Sequence, residues 1–128
     1  MQSTKDNHPV RILIVDDDED MRSLLKDLLE EDGFETECAS NGFDALQEVA
    51  GRNFDLIITD IGMPGLTGLD ILPGIRRLRP GAPVIVMSSF ASRHVHRRSL
   101  ERGATGYLEK PIRIENLRSL IYRHIKPR

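Results

Sequence analysis

The chain has 128 residues, no tryptophan, a single cysteine (Cys38) and only 5% aromatic side chains. One cysteine excludes an internal disulfide framework and a cysteine-rich zinc site. With so few rings, the core must be built mainly from Leu, Ile and Val. No apolar stretch approaches the roughly 20 residues of a membrane span. Met1 to Val10 is polar and lacks the apolar centre of a signal peptide. A cytoplasmic protein with no membrane partner is therefore expected. The length suits one compact domain and is too short for two ordinary ones. There are no internal repeats and no internal linker.

Charge is present but unevenly spread. Residues 1–70 hold 17 acidic and 5 basic side chains, whereas residues 71–128 hold 3 and 13. Such a split can place an acidic site against a cation and a basic surface against an acidic partner. It can equally reflect solvated helix faces of opposite sign.

Hydrophobic periodicity divides the chain into alternating elements. Arg11–Val15 reads as a buried strand, and a helix follows from about Asp20 to Asp32, with Met21, Leu24, Leu25, Leu28 and Leu29 on one face. Gly33 stops that helix. Phe34–Ala39 alternates as an edge strand should. After the Asn41-Gly42 turn, a short helix carrying Leu46 and Val49 runs to about Ala50. Asp55–Thr59 is a second apolar strand, and Gly62–Gly68 is a loop. A helix through Leu69, Leu72, Ile75 and Leu78 comes next, with Pro73 near its start. Val84–Met87 is a strand. The helix from about Ser92 to Arg102 is unusually polar, with Val95 and Leu100 as its main apolar residues. Gly106–Glu109 and a helix from Ile114 to Lys126, burying Leu117, Leu120 and Ile121, complete the pattern. Strands and helices in strict alternation predict right-handed crossovers and a parallel sheet covered on both faces.

The strand ends carry the chemistry. Ile12–Val15 runs into Asp16-Asp17-Asp18, Leu56–Thr59 into Asp60, Val84–Met87 into Ser88-Ser89, and Tyr107–Glu109 into Lys110-Pro111. In an open parallel sheet the carboxyl ends of the strands form the ligand crevice. Neighbouring strands lie about 5 Å apart, so carboxylates ending them repel unless a proton or a cation intervenes. A hard divalent ion with oxygen ligands answers that need. Asp60 is a candidate nucleophile that attacks phosphorus and becomes an aspartyl phosphate. Ser88 can donate a hydrogen bond to a phosphoryl oxygen, and the Lys110 ammonium can pair with another. Pro111 makes Lys110-Pro111 a candidate cis peptide. Asp18, Glu19 and Asp20 read as the acidic start of the first helix.

These motifs together, ILIVDD (12–17), DLIITDIGMPGLTG (55–68), PVIVMSS (83–89) and GATGYLEKP (103–111), resemble those of the receiver domains of two-component response regulators. The resemblance covers residues 10–126, leaving 1–9 as a flexible arm and 127–128 as a tail or the start of a linker. It implies a flavodoxin-like α/β fold, a doubly wound five-stranded parallel sheet in the order 2-1-3-4-5 with five helices. It implies that Asp60 is the phosphoacceptor, charged by a phosphohistidine on a sensor histidine kinase or histidine phosphotransfer domain. Asp17 and Asp60 would ligate Mg²⁺, or Mn²⁺ in its place, with Asp16 acting chiefly through water and Gly62 through its backbone carbonyl. Ser88 matches the switch hydroxyl and Tyr107 the aromatic that swings inward behind it. Lys110 matches the family's lysine. Such a domain is no enzyme towards outside substrates and catalyses only its own phosphorylation and dephosphorylation.

Some positions depart from the common pattern. Ser89 stands where the family most often has Ala or Gly, and its hydroxyl adds a second polar group to the phosphate and switch set. Gly62 and Phe90 offer no polar side chain where the family controls water access to the acyl phosphate. Thr67 replaces a frequent acidic residue or Asn. The resemblance places output on helix four, strand five and helix five, here carrying Arg93, His94, His96, Arg97, Arg98, Arg102, Arg113, Arg118 and Arg123. An attached output domain, a paired receiver or an acidic protein partner could read that face. Direct nucleic-acid binding is disfavoured, because no recognition-helix motif or interleaved aromatic accompanies the arginines.

Three other readings stay open. A haloacid-dehalogenase-like Mg²⁺ phosphatase also uses a strand-end Asp-x-Asp pair, which Asp16 and Asp18 would supply. Asp20 sits where that family has Thr or Val, and the length leaves no room for a substrate cap. A flavodoxin would need a phosphate loop free of the repelling aspartates. A receiver-like module that binds partners without phosphorylation would not need the complete set of acids, Ser88 and Lys110.

Overall fold

The computed structural model describes residues 9–89 and 93–125. Residues 1–8 of the expected arm (1–9), Phe90, the expected start of helix four at Ser92, the expected end of helix five at Lys126, and the tail at 127–128 lie outside the described residues. Ten elements alternate: β1 (Arg11–Val15), α1 (Glu19–Glu31), β2 (Glu35–Ala39), α2 (Gly42–Gly51), β3 (Leu56–Asp60), α3 (Gly68–Leu78), β4 (Val84–Ser88), α4 (Arg93–Glu101), β5 (Gly106–Glu109) and α5 (Ile114–His124). The strands form one parallel sheet in the order β2-β1-β3-β4-β5. This is the order expected from the resemblance.

Period-two alternation within each strand builds two cores. Leu13, Val15, Ile57, Val84 and Val86 face α2, α3 and α4 with Ile71, Leu72 and Ile75. Ile12, Ile14, Leu56, Ile58, Ile85 and Met87 face the opposite side with Leu25, Leu29, Leu117 and Ile121. β1, β3 and β4 are buried on both faces, which explains their continuous apolar runs. β2 at the edge keeps Glu35 exposed while Thr36 and Ala39 are buried.

Two strands run one residue further than the apolar pattern suggests. β3 and β4 include Asp60 and Ser88 as their last residues. These polar groups thus sit on ordered sheet rather than on loops, and both are buried. Helix contacts also differ in detail from the periodicity. Leu24 is 54% exposed, because the α1 stripe is narrow and only Leu25 and Leu29 are fully covered. In α3, Leu72 and Ile75 are buried and Leu69 packs against the core as the periodicity suggests, but Ile71 is buried as well and Leu78 is exposed. In α4, Leu100 is exposed and Ser99 is buried, its hydroxyl donating to the Val95 carbonyl at 2.8 Å.

With little apolar surface, α4 is tied down by arginines. Arg102 Nη1 donates to the Leu69 carbonyl at 3.1 Å, and Arg76 Nε donates to the Gly103 carbonyl at 3.0 Å. An element held mainly by such bonds is among the first to rearrange. On the other face, the Arg118 guanidinium grips Asp32 through both carboxylate oxygens at 2.8 and 3.1 Å, joining α5 to the end of α1. Gly33 follows Asp32 with φ +92°, the left-handed turn that ends α1.

Gly68 positions the site directly. It opens α3 behind the capping box of Thr67 and Asp70. A Cβ there would strike the Asp60 carbonyl oxygen and come within 2.9 Å of Ile61 Cα. Gly68→Ala should therefore destabilise the domain by about 1–3 kcal/mol, lowering the thermal midpoint by roughly 4–11 °C for a chain of this length. Calorimetry checks this; an unchanged midpoint would show that the β3–α3 junction is not tight.

Candidate functional site

Strand register determines which residues meet. Val15 pairs with Thr59, so Asp16 and Asp60 end adjacent strands at the same level. Asp60 pairs with Met87, which puts Ser88 one residue further along the rim. Ser88 pairs with Glu109, which brings Lys110 to the end of β5. The Lys110 amide donates to the Ser88 carbonyl at 2.7 Å and fixes that junction. The Lys110-Pro111 peptide is cis.

The centre of the rim is an ion cluster. Lys110 Nζ lies 3.1 Å from Asp16 Oδ2 and 3.2 Å from Asp60 Oδ1. Asp16 is fully buried and Asp60 nearly so, while Asp17 is exposed. Asp16 Oδ1 also accepts the Asp18 amide at 2.9 Å. Burial nonetheless raises the Asp16 carboxyl above its ordinary value; the Asp18 amide and Lys110 oppose this, and the Asp60 charge adds to it. Burial pulls the Lys110 ammonium down, but hydrogen bonds and charge from Asp16 and Asp60 outweigh it and hold the group above its ordinary value. Lys110 is thus a fixed positive charge shared by two carboxylates.

One lysine does not satisfy three acids. Oxygens from Asp16, Asp17 and Asp60 lie within 4.8 Å of one another. They form a hard, anionic donor set suited to a small divalent cation. The space beside it is open: a Cβ on Gly62 would have only Asp60 Oδ2 within 4 Å, at 4.0 Å. Asp18 does not join the cluster. It is exposed and caps α1, its side chain accepting from the Asp20 amide at 2.9 Å. The Asp16–Asp18 pair needed by the dehalogenase-like reading is therefore not brought together.

The remaining candidates divide by face. Ser88 is 2% exposed and shares the α4 side of the sheet with Val84 and Val86. Ser89, just beyond β4, is exposed. Tyr107 pairs with Val86 and packs half-buried on the same side as Ser88. Its ring stacks on His96 of α4, with centroids 4.3 Å apart and planes inclined by 11°.

Two contributors were not evident in the sequence. Arg22 Nη1 donates to the Asp16 carbonyl at 2.8 Å, tying α1 to the end of β1. Its only sequence signal is a basic residue one turn into an acidic helix start. His96 reads as an ordinary exposed helix residue until α4 is laid over β5.

Comparison with known proteins agrees with this geometry. The family model described as the response regulator receiver domain matches residues 12–122. The chain is 36% identical over 118 residues to the transcriptional regulatory protein ZraR of Escherichia coli O157:H7, covering 92% of this chain and 26% of that protein. It is 38% identical over 112 residues to the DNA-binding transcriptional regulator NtrC of Bradyrhizobium, covering 88% of this chain and 23% of that one. The chain thus spans about a quarter of the length of these relatives. Among solved structures, the chemotaxis protein CheY4 of Vibrio cholerae superposes with a TM-score of 0.87 at 29% identity, covering 92% of this chain and all of that one. The response regulator TrrA of Thermotoga maritima, in complex with Mg²⁺ and beryllofluoride, superposes with a TM-score of 0.83 at 34% identity, covering 91% and 99%. Five parallel strands in this order, three clustered aspartates facing a lysine, and a family match spanning most of the chain place it among the receiver domains of two-component response regulators.

Proposed function

We propose that the chain accepts a phosphoryl group on Asp60 and answers by altering the surface built from α4, β5 and α5. The observation that carries this is the Lys110 ammonium, 3.1 Å from Asp16 and 3.2 Å from Asp60, at a rim where three carboxylates converge. An Asp60 oxygen attacks phosphorus, the bond from phosphorus to the donor's imidazole nitrogen breaks, and the imidazole leaves and is reprotonated from solvent. The donor is a phosphohistidine on a sensor histidine kinase or histidine phosphotransfer domain. Asp16, Asp17, Asp60 and the Gly62 carbonyl would hold Mg²⁺, and Mn²⁺ suits the same oxygens. When bound, the ion neutralises the donor's phosphoryl oxygens.

The chain's own residues do the rest. Lys110 is already protonated and can pass from a carboxylate to a phosphoryl oxygen without crossing the rim. Ser88 offers its hydroxyl from the adjacent strand end, and the exposed Ser89 can bond a phosphoryl oxygen from outside. Tyr107 shares the Ser88 face and moves inward when that hydroxyl is drawn to the phosphate. The lightly packed α4 then shifts, a local charge change read out at a distance. Hydrolysis of the acyl phosphate resets the domain, so its catalysis is confined to its own phosphorylation and dephosphorylation.

The exposed Arg93, Arg97 and Arg98 make this face basic, suited to an acidic partner surface, a second receiver or an attached output domain. ZraR and NtrC are transcriptional regulators by name, which favours an output of that kind. Nucleic-acid binding is assigned to such an output domain rather than to this one. No helix among the described residues is long and apolar enough to cross a membrane, and we assign the domain to the cytoplasm.

Incubation with acetyl phosphate and Mg²⁺ should label the wild-type chain once, and Asp60→Ala should abolish the label; undiminished incorporation in that variant would overturn the assignment. Lys110→Ala should still be labelled while losing the conformational change seen by NMR, and a wild-type response would contradict its role. Mg²⁺ at ten times its Kd should stabilise the fold by about 1.4 kcal/mol, or roughly 5 °C in midpoint for a domain of this length. Asp17→Ala should remove most of that increment, and an equal increment in the variant would exclude Asp17 from the metal set.

A further inference from the structure

His96 is one of the exposed residues of α4, yet one face of its imidazole packs against another ring. It lies flat on Tyr107, with centroids 4.3 Å apart and an 11° interplanar angle. The pair forms one wall of a groove of about 580 Å³ that Lys110, Arg113 and Asn116 also line. Near-parallel rings at this separation are offset-stacked, and such pairs contribute beyond the area they bury.

Geometry decides what that contact can do. Tyr107 stands opposite Val86, and Ser88 follows on the same face two residues along β4. That offset is about 7 Å along the strand. A tyrosine ring moving from the α4 surface into the space beside Ser88 must leave the imidazole. The stack is therefore present with Tyr107 outward and absent with Tyr107 inward. A contact made in only one of two states biases the equilibrium by its whole strength, whatever else stabilises either state. Helix α4 does not oppose the separation strongly, since it rests on Val95, Ser99 and the Arg102 bond rather than on a broad apolar stripe.

We propose that His96 is a positioning residue that latches Tyr107 outward and so sets the threshold of the switch. This rests on the Ser88–Tyr107 reading above and adds to it the residue on the opposing side. Its effect passes through Tyr107, the ring it stacks on.

The chain has two tyrosines and no tryptophan, so Tyr122→Phe leaves Tyr107 as the sole tyrosine signal. Tyr122 is 43% exposed and should tolerate the loss of its hydroxyl. In that background, the chain is titrated with beryllofluoride in Mg²⁺ while the Tyr107 ring resonances are followed by NMR, for His96, His96→Ala and His96→Phe. His96→Ala should lose the ring-current shift on Tyr107 before titration. It should also reach half-saturation at a concentration about two- to tenfold lower. His96→Phe, which keeps a stacking ring, should return both values towards wild type. Equal half-saturation in His96→Ala and wild type would overturn the latch, as would His96→Phe behaving like His96→Ala. A wild-type chain that gives no response to beryllofluoride would overturn the phosphoacceptor reading and the latch with it; a normal wild-type response matched by His96→Ala would remove the latch alone.

Discussion

The Lys110 ammonium between Asp16 and Asp60 is the interaction on which the rest of the rim depends. β1 and β3 are adjacent and in register, so two carboxylates must end side by side in a largely buried place. Without a positive charge there, one acid would take a proton or the strand ends would part. Lys110 comes from the far side of β4, delivered by β5 and its amide bond to the Ser88 carbonyl. It therefore links the acidic strands to the part of the sheet that borders α4 and α5. The third acid, Asp17, leaves the cluster with more negative charge than one lysine balances, which is the condition a divalent cation relieves.

The charge split along the chain has a corresponding spatial logic, with exceptions that matter. α1 is acidic at its start and carries Asp27, Glu30 and Glu31, while α4 is basic along its exposed length. Among the side-chain contacts that cross between the halves are, in turn, Lys110 with the carboxylates, Arg118 with Asp32, and Arg102 with Leu69 and Asp70. The first assembles the site, the second clasps α5 to α1, and the third holds α4 by a few polar bonds. A rigid rim beside a lightly held helix is a sound basis for turning a local charge change into a surface change.

Much of this was legible in the sequence because the strands speak plainly. Doubly buried β1, β3 and β4 need continuous apolar runs, and the polar residues that interrupt them at one end can only lie on the rim. The order of five strands and the meeting of Asp16, Asp17, Asp60, Ser88 and Lys110 followed from that pattern and the family resemblance. Helix detail was less legible. Leu24, Leu78 and Leu100 fit an apolar period yet are exposed, since a helix on a sheet covers only a narrow stripe and its rotation is set by tertiary packing. Ser99 is buried because its hydroxyl is satisfied within its own helix, which composition cannot reveal. Arg22 and His96 act through contacts with a carbonyl and a ring that come together only after folding.

The central claim is that Asp60 is the group that bonds phosphorus. Borohydride reduction of the acetyl-phosphate-treated wild-type chain, followed by peptide sequencing by mass spectrometry, addresses it most directly, because reduction converts an aspartyl phosphate to homoserine and marks the residue permanently. Homoserine at position 60 alone, formed only when Mg²⁺ is present, is the result predicted by the convergence of Asp16, Asp17 and Lys110 on that residue. Homoserine at Asp16 or Asp17, or no conversion under conditions where Mg²⁺ stabilises the fold, would contradict it.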